Sequence, residues 1–151
     1  MKVLDLAEYV IRRAVEKDTT ITNLKLQKTL YYLQGYSLRC FSEPAFDGDI
    51  RNWQYGPVSP TAYFAYSSYG AQPLEQNDME QSEPVPKEKV LLFNNVIDAC
   101  LERTARTLVQ MTHEEAPWKK TRQNDEISQD LIQKYFLSHN PLEIEYGDNG
   151  C

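Results

Sequence analysis

The residues with the strongest chemical character in this chain are His113, Glu114 and Glu115, which stand together. A histidine next to acids suggests a zinc site or an acid–base pair. The helix of a zinc protease needs a second histidine four residues after the first, on the same face. Here that position holds Pro117, which has no metal-binding atom and stops a helix. The other histidine, His139, lies far along the chain, so the ligand set of a catalytic zinc is absent from this motif.

The sequence also lacks the motifs of other common catalytic sites. The chain contains no GxSxG turn, no P-loop and no paired dinucleotide-binding glycines. Cys40, Cys100 and Cys151 have no metal-ligand spacing. Cys40 and Cys100 lie in apolar helical contexts and are predicted to be reduced, with Cys151 an exposed, mobile thiol. We therefore predict a protein that is not an enzyme and needs no cofactor or metal; a hydrolase using His113 and Glu115 is a less favoured alternative.

The composition is that of an ordinary globular domain. Its 151 residues are 41% hydrophobic and 25% charged, with a net charge of −6. The acidic balance disfavours binding to nucleic acid, and no window approaches the ~20 apolar residues of a membrane span. The amphipathic N-terminus, MKVLDLAEYVIRR, does not have the order of a secretory signal, so a cytoplasmic protein is predicted. The charge is uneven, with no acid between Thr19 and Ser42.

Hydrophobic periodicity and capping residues predict five to six helices. They run over Val3–Glu16, from Thr22 or Asn23 to about Phe41, from Pro60 to about Tyr69, over Lys87–Leu101, from about Thr104 to Met111, and onward from Ser128. An aromatic loop with a short hairpin is expected within 42–59, and a flexible surface excursion within 70–86. The prediction is an all-α or nearly all-α orthogonal bundle, with residues 1–139 forming one domain and 140–151 an acidic flexible tail.

Three short phrases of unusual composition are spread along the chain. They are LKLQKTLYYLQG at 24–35, WQYGPVSP at 53–60 and THEEAPWKK at 112–120. Aromatic and amide side chains are frequent in them, and no recognisable catalytic set is present. Such phrases favour a helical module that holds another macromolecule over one that turns over a small molecule.

Two groups of residues follow from these phrases. Candidates for contact with a partner come from the second helix, where they point away from its main apolar face, and from the aromatic residues of the loops. The loop aromatics are expected first of all to hold their loops on the core. These candidates are Lys25, Lys28, Tyr32, Tyr36, Trp53, Tyr55 and Trp118. Residues interpreted as structural supply buried amides, a close helix crossing, or turns: Gln27, Gln34, Gly35, Gly56, Pro57, His113, Glu115 and Pro117.

Together the phrases resemble the Panacea domain of SocA-like antitoxins, a family that includes the phage-associated GepA proteins. An early helix in that family reads roughly T-x-x-K-L-Q-K-L-L-Y-Y-x-Q-G, followed by W-x-Y-G-P-V-x-P and L-x-x-x-T-H-x-E-x-P-W. This chain matches these patterns from Thr22 to Gly35, from Trp53 to Pro60 and from Leu108 to Trp118. It departs from them at Thr29, where an aliphatic residue is usual, and at Ala116, where glycine is common.

The resemblance implies an antitoxin of a toxin–antitoxin system, a protein that neutralises a cognate toxin protein by direct binding. It also implies a second route, in which the antitoxin acts as an adaptor that delivers the toxin to a protease or chaperone. The alternative of another class is a phage or mobile-element interaction protein that binds a host factor.

Overall fold

The computed structural model describes residues 1–77, 82–146 and 151 of the chain. The elements are α1 (Val3–Glu16), α2 (Asn23–Phe41), β1 (Arg51–Trp53), β2 (Gly56–Val58), α3 (Pro60–Ala65) with a 3₁₀ turn (Ser67–Tyr69), α4 (Lys87–Leu101), α5 (Ala105–Glu114), α6 (Ala116–Lys119) and α7 (Gln129–Ser138). The predicted mainly-α domain with a short hairpin is confirmed. The four-residue α6 was not predicted, because it is too short to show a periodic apolar pattern. Among the described residues, no helix is long and apolar enough to cross a membrane.

Side-chain caps explain where four of the helices begin. Thr22, Ser59, Thr104 and Ser128 each precede a helix, and each side-chain oxygen accepts a hydrogen bond from the backbone N–H three residues later. These bonds satisfy donors that the first helical turn would leave without partners. The local sequence therefore sets these boundaries.

Helix α2 is the central element, and neighbours cover it on nearly all sides. Its residues from Leu26 to Leu38 are all buried. Lys28, Tyr32 and Tyr36 were predicted as candidates for partner contact, and the structure contradicts this because each is fully buried. The ring of Phe136 on α7 packs edge-to-face against both tyrosines, and the β1–β2 hairpin closes over the lysine.

Lys25 lies at the margin of this covered face. It is partly exposed, and its Nζ donates to the carbonyl of Leu101 at the end of α4 over 3.0 Å. A cation at the C-terminus of a helix interacts favourably with the helix dipole. Lys25 therefore links α2 to α4.

The segment after α7 returns to the core. Leu142 and Ile144 are buried, and the hydroxyl of Tyr36 donates to Asn140 Oδ1 over 2.6 Å and accepts from the backbone N–H of Leu142 over 3.0 Å. The expectation of a flexible tail over 140–151 therefore does not hold for residues 140–146. Residues 147–150 lie outside the described residues.

The cysteines differ in part from the expectation. Cys100 is free and buried, as an apolar helical context predicts. Cys40 and Cys151 form a disulfide, which corrects the prediction of two reduced thiols. Their separation of 111 residues gave no sign of the pairing, because only the return of the C-terminal segment to the end of α2 brings the two together.

The polar segment after α3 is also attached to the core at both of its ends. Leu74 and Val85 are buried, and the Leu74 N–H donates to the Ile21 carbonyl over 2.8 Å. The buried carboxylate of Glu8 accepts from the Tyr66 hydroxyl over 2.6 Å and from the Asn77 N–H over 3.1 Å. The expectation of a flexible excursion over 70–86 therefore fails for these anchored parts, and its middle, 78–81, lies outside the described residues.

The two strands form an antiparallel hairpin with its turn at Gln54 and Tyr55. Arg51 pairs with Val58, and Trp53 pairs with Gly56. The outer edge of β1 is covered by the segment before α7, since the Asn52 N–H donates to the Asp125 carbonyl over 2.9 Å. The hairpin is therefore fixed between α2 and the loop that follows α6.

Candidate protein-binding site

Glu115 forms the centre of a buried polar cluster at the junction of α5 and α6. Its Oε1 accepts from the Tyr31 hydroxyl over 2.9 Å, and its Oε2 accepts from the Tyr32 hydroxyl over 2.7 Å. The residue is only 3% exposed. Desolvation raises the pKa of Glu115 to about 7, although the two hydroxyl hydrogen bonds act in the opposite direction. The carboxyl group thus fastens the α5–α6 junction to α2.

Lys28 fastens the hairpin to α2 in the same way. Its buried Nζ donates to the Pro57 carbonyl over 2.9 Å, and desolvation lowers the pKa of Lys28 to about 7. Gly56 has a φ of 113°, and a Cβ there would lie 2.7 Å from Thr112 Oγ1 and 2.9 Å from Lys28 Cε. Glycine is therefore required where the hairpin closes over the lysine.

The two glutamines of α2 hold the ends of the aromatic loop. Gln27 Oε1 accepts from the Ser59 N–H over 2.9 Å. Gln34 Oε1 accepts from the N–H groups of Ala45 and Phe46 over 2.8 and 3.3 Å. Both glutamine side chains therefore bond to the backbone of the aromatic loop, as buried polar groups require partners.

Trp118 connects α6 to the hairpin. Its indole N–H donates to the Trp53 carbonyl over 2.9 Å. The Asn52 amide in turn donates to the carbonyls of Trp118 and Thr121 over 2.7 and 2.9 Å. Pro117, in the first turn of the short helix, is buried. Trp53 and Trp118 are each partly exposed, so both seat their loops and still reach the surface.

His113 supports the turn of the hairpin. Its Nε2 lies 3.0 Å from the Gln54 carbonyl, and its ring stacks on Trp118 with 4.1 Å between centroids. A carbonyl only accepts, so this contact requires the proton on Nε2. Glu115 instead bonds to two tyrosines in the interior. His113 and Glu115 thus contact different neighbours and are not arranged as an acid–base pair.

An aromatic cleft opens where the start of α2, the hairpin and α3 meet. It encloses about 630 Å³, and its apolar walls come from Leu24, Trp53, Tyr55, Val58 and Tyr63. The Trp53 ring packs edge-to-face on Tyr63, with 5.1 Å between centroids. Tyr55 at the rim is 59% exposed. Tyr55 is thus the sequence-predicted partner residue with the most accessible side chain, whereas Lys28, Tyr32 and Tyr36 cannot reach a partner in this structure.

Sequence reasoning missed three exposed apolar residues near this cleft: Leu24, Tyr63 and Phe64. Phe64 is 64% exposed and packs against Trp53 at 5.9 Å between ring centroids. The available signal was the adjacency of Tyr63 and Phe64 in a predicted helix; in the structure α3 is short, and only its Ala62 is buried. A helix of six residues cannot bury two adjacent aromatic side chains, because neighbours in sequence point in different directions.

A second, polar hollow lies on the other side of the hairpin turn. It encloses about 320 Å³ and is lined by Asn52, Gln54, Trp118, Lys119 and Thr121, with Gln123. Gln54 also lines the aromatic cleft. We call the segment 119–122 the basic loop, because it contains Lys119, Lys120 and Arg122, all exposed.

The crowding at Gly56 gives the first testable prediction. Gly56→Ala should lower the free energy of unfolding by about 2 to 3 kcal/mol, from positive-φ strain plus the clash with Thr112 and Lys28. Gly48 is the matched control, since it has a φ of 100° but nothing within 4 Å of the place where a Cβ would lie. Chemical denaturation should therefore show a smaller loss for Gly48→Ala. Equal losses would contradict the proposed close contact.

The geometry defines a class of protein: a small helical domain whose motif residues Lys28, Gln27, Gln34 and Glu115 form a buried, hydrogen-bonded frame, with an aromatic cleft open beside it. Among the described residues, no group of three or more His, Cys, Asp or Glu side chains is placed to hold a metal ion.

The chain belongs to the family described as "Antitoxin SocA-like, Panacea domain", which matches residues 26–119. A similar protein is "Antitoxin SocA" of Caulobacter vibrioides (strain NA1000 / CB15N), 35% identical over 65 residues. That alignment covers 43% of this chain and 35% of the relative, so the chain matches about a third of the relative's length. No solved structure matches the chain. The matched region contains Lys28, both glutamines, Tyr31, Tyr32 and Glu115.

Proposed function

We propose that this protein is a non-catalytic, cytoplasmic antitoxin that neutralises a cognate toxin protein by binding it directly. Family membership supports the antitoxin role. The observation that supports direct binding is the contrast between buried motif residues and exposed aromatic residues. Lys28, Glu115 and the α2 glutamines are buried and bonded internally, while Tyr55, Tyr63 and Phe64 remain exposed beside a cleft.

Inhibition would follow from covering the toxin's active surface or blocking access of its substrate. The hydrogen bonds of Lys28 to Pro57, Gln27 to Ser59 and Asn23 to Tyr63 hold the cleft walls in place before a partner arrives. A preformed surface loses little conformational entropy on binding, which favours tight association. Tyrosine and tryptophan are also the residue types that contribute most at protein interfaces.

The proposal is tested by titrating the purified protein against the purified product of a toxic gene encoded beside it. We expect co-purification, rescue of growth on co-expression, and complete inhibition of the toxin near a one-to-one ratio. An enzyme acting on the toxin would instead inactivate an excess of it over time. Absence of a complex, or inhibition far below stoichiometry, would contradict the proposal.

The half-life of the toxin in the co-expressing cells distinguishes direct occlusion from proteolytic delivery. If occlusion is sufficient, the half-life of the toxin should not shorten when the antitoxin is present, as an immunoblot after translation arrest would show. A shortened half-life would support the adaptor route. Stable capture of a host protein in cells that lack the toxin would support the host-factor alternative.

A further inference from the structure

We infer that the aromatic cleft and the basic loop together form one toxin-binding surface, and that its occupant is an apolar side chain of the toxin flanked by acidic residues. This inference rests on the proposed function and specifies the chemistry of the partner. It is carried by three observations: the lining of the cleft, the charge beside it, and the fixed turn between the two.

The cleft suits an apolar occupant because the two buried amide side chains in its lining already have internal partners. Asn23 Nδ2 donates to the Tyr63 carbonyl over 3.1 Å, and its Oδ1 accepts from Gln27 over 2.9 Å. Gln27 Oε1 accepts from Ser59. These hydrogen bonds hold the walls, and the polar groups open to an occupant are at the rim, on Gln54 and the two tyrosines. The aromatic rings at the rim then provide the main free contact surface.

The basic loop suits an acidic flank. Lys119, Lys120 and Arg122 are exposed and close together in a chain of net charge −6. Within the described part of the chain, the salt bridges involve other residues. Asp125 and Glu126 follow the loop along the chain, and the Asp125 carbonyl accepts from the N–H of Asn52, which lines the same hollow as Lys119. Opposite charge on a partner would speed encounter and fix its orientation.

The hairpin turn places these two features side by side. Gln54 lines both the cleft and the polar hollow. Its position is fixed by His113 at its carbonyl and by Trp118 at the carbonyl of Trp53. A partner segment that crosses the turn would therefore contact the aromatic rim on one side and the lysines on the other.

Two pairs of substitutions test the two halves of this surface, with the neighbouring toxin as the probe. Tyr55→Ala with Phe64→Ala should raise the Kd about 100-fold or more, since aromatic hot spots dominate such interfaces. Lys119→Glu with Lys120→Glu should raise it about 10-fold, chiefly through slower association, and should weaken the dependence of the association rate on salt.

Controls come from exposed residues elsewhere on the surface, two large apolar side chains for the aromatic pair and two lysines for the charged pair. Leu91 and Leu137 are 59% and 58% exposed and lie on α4 and α7. Leu91→Ala with Leu137→Ala, and Lys87→Glu with Lys134→Glu, should leave the Kd within about twofold because neither pair lines the cleft or the hollow. Thermal unfolding of each variant should match the wild type, since all eight side chains are solvent-exposed.

The outcomes separate the inference from the function on which it rests. If the wild type does not bind the toxin, the proposed function fails. If the wild type binds and the test pairs bind as tightly as the controls, the toxin uses another surface and the inference is wrong. If only the charge reversal has no effect, the acidic flank is overturned and the apolar occupant stands.

Discussion

Replacing Glu115 with alanine should lower the free energy of unfolding by roughly 4 kcal/mol. The substitution leaves the buried hydroxyls of Tyr31 and Tyr32 without their acceptor and opens a cavity between α2 and the α5–α6 junction. A buried polar group that loses its partner costs about 1 to 3 kcal/mol, and a cavity adds to that cost. Urea denaturation followed by circular dichroism would measure the loss.

Glutamine at position 115 is the matched control. It has nearly the same volume, accepts one tyrosine hydrogen bond through its oxygen, and can donate to the other hydroxyl, which also accepts. We therefore expect Glu115→Gln to remain within about 1 kcal/mol of the wild type at pH 4.5, where the carboxyl group of the folded protein is protonated. A loss as large as that of alanine would contradict the view that hydrogen bonding and volume stabilise the junction.

The same control isolates the pH dependence of this group. Burial raises the pKa of Glu115 from 4.5 to about 7, so between these values the folded protein binds more protons at this site than the unfolded chain does. The contribution of Glu115 to stability is therefore full below pH 4.5 and is lost as the pH rises through 7. Relative to Glu115→Gln, the wild type should lose up to about 3 kcal/mol across this window. A constant difference between the two proteins would contradict the raised pKa.

Substitution of Gly35 by alanine should lower the free energy of unfolding by about 2 kcal/mol. The ring of Phe136 on α7 occupies the place where a Cβ would lie, and both residues are buried. Helix propensity alone predicts the opposite sign, a gain of about 1 kcal/mol, since alanine is the better helix former. Overpacking of a filled core typically costs about 1 to 3 kcal/mol and should outweigh that gain. Thermal and urea unfolding would give the sign directly.

A double-mutant cycle checks the cause of this loss. Phe136→Ala alone should cost about 3 to 5 kcal/mol, because a fully buried ring is removed. In that background Gly35→Ala should be neutral or stabilising, as the new methyl group then enters empty space. Additive effects of the two substitutions would show that the ring is not the obstacle.

Local sequence predicted the helices well, and it predicted less well the features that depend on contacts between distant segments. The caps at Thr22, Ser59 and Ser128 and the periodicity of α1 and α4 act within one or two turns, so their outcomes depend little on the rest of the chain. The four-residue α6 and the Cys40–Cys151 disulfide depend on contacts between distant segments, and no local pattern reports them.

The candidate site was predicted only in part, for the same reason. Tyr55 was singled out and is exposed, and Trp53 and Trp118 lie at the cleft and the polar hollow. Tyr32, Tyr36 and Lys28 were candidates for partner contact because they point away from the main apolar face of α2, but α7, the C-terminal segment and the hairpin cover them. A helical wheel reports which residues share a face but not whether a neighbour covers it.

The sequence by itself determined the helical class, the helix starts and the membership in a family, because these depend on periodicity, caps and residue identity along the chain. Only the tertiary structure decided which chemical groups face inward. Burial raises the pKa of Glu115 and lowers that of Lys28. Both side chains hydrogen-bond inside the protein, where they link α2 to the α5–α6 junction and to the hairpin. The exposed rings of Tyr55 and Phe64 remain outside because short elements, a two-residue turn and a six-residue helix, cannot enclose them.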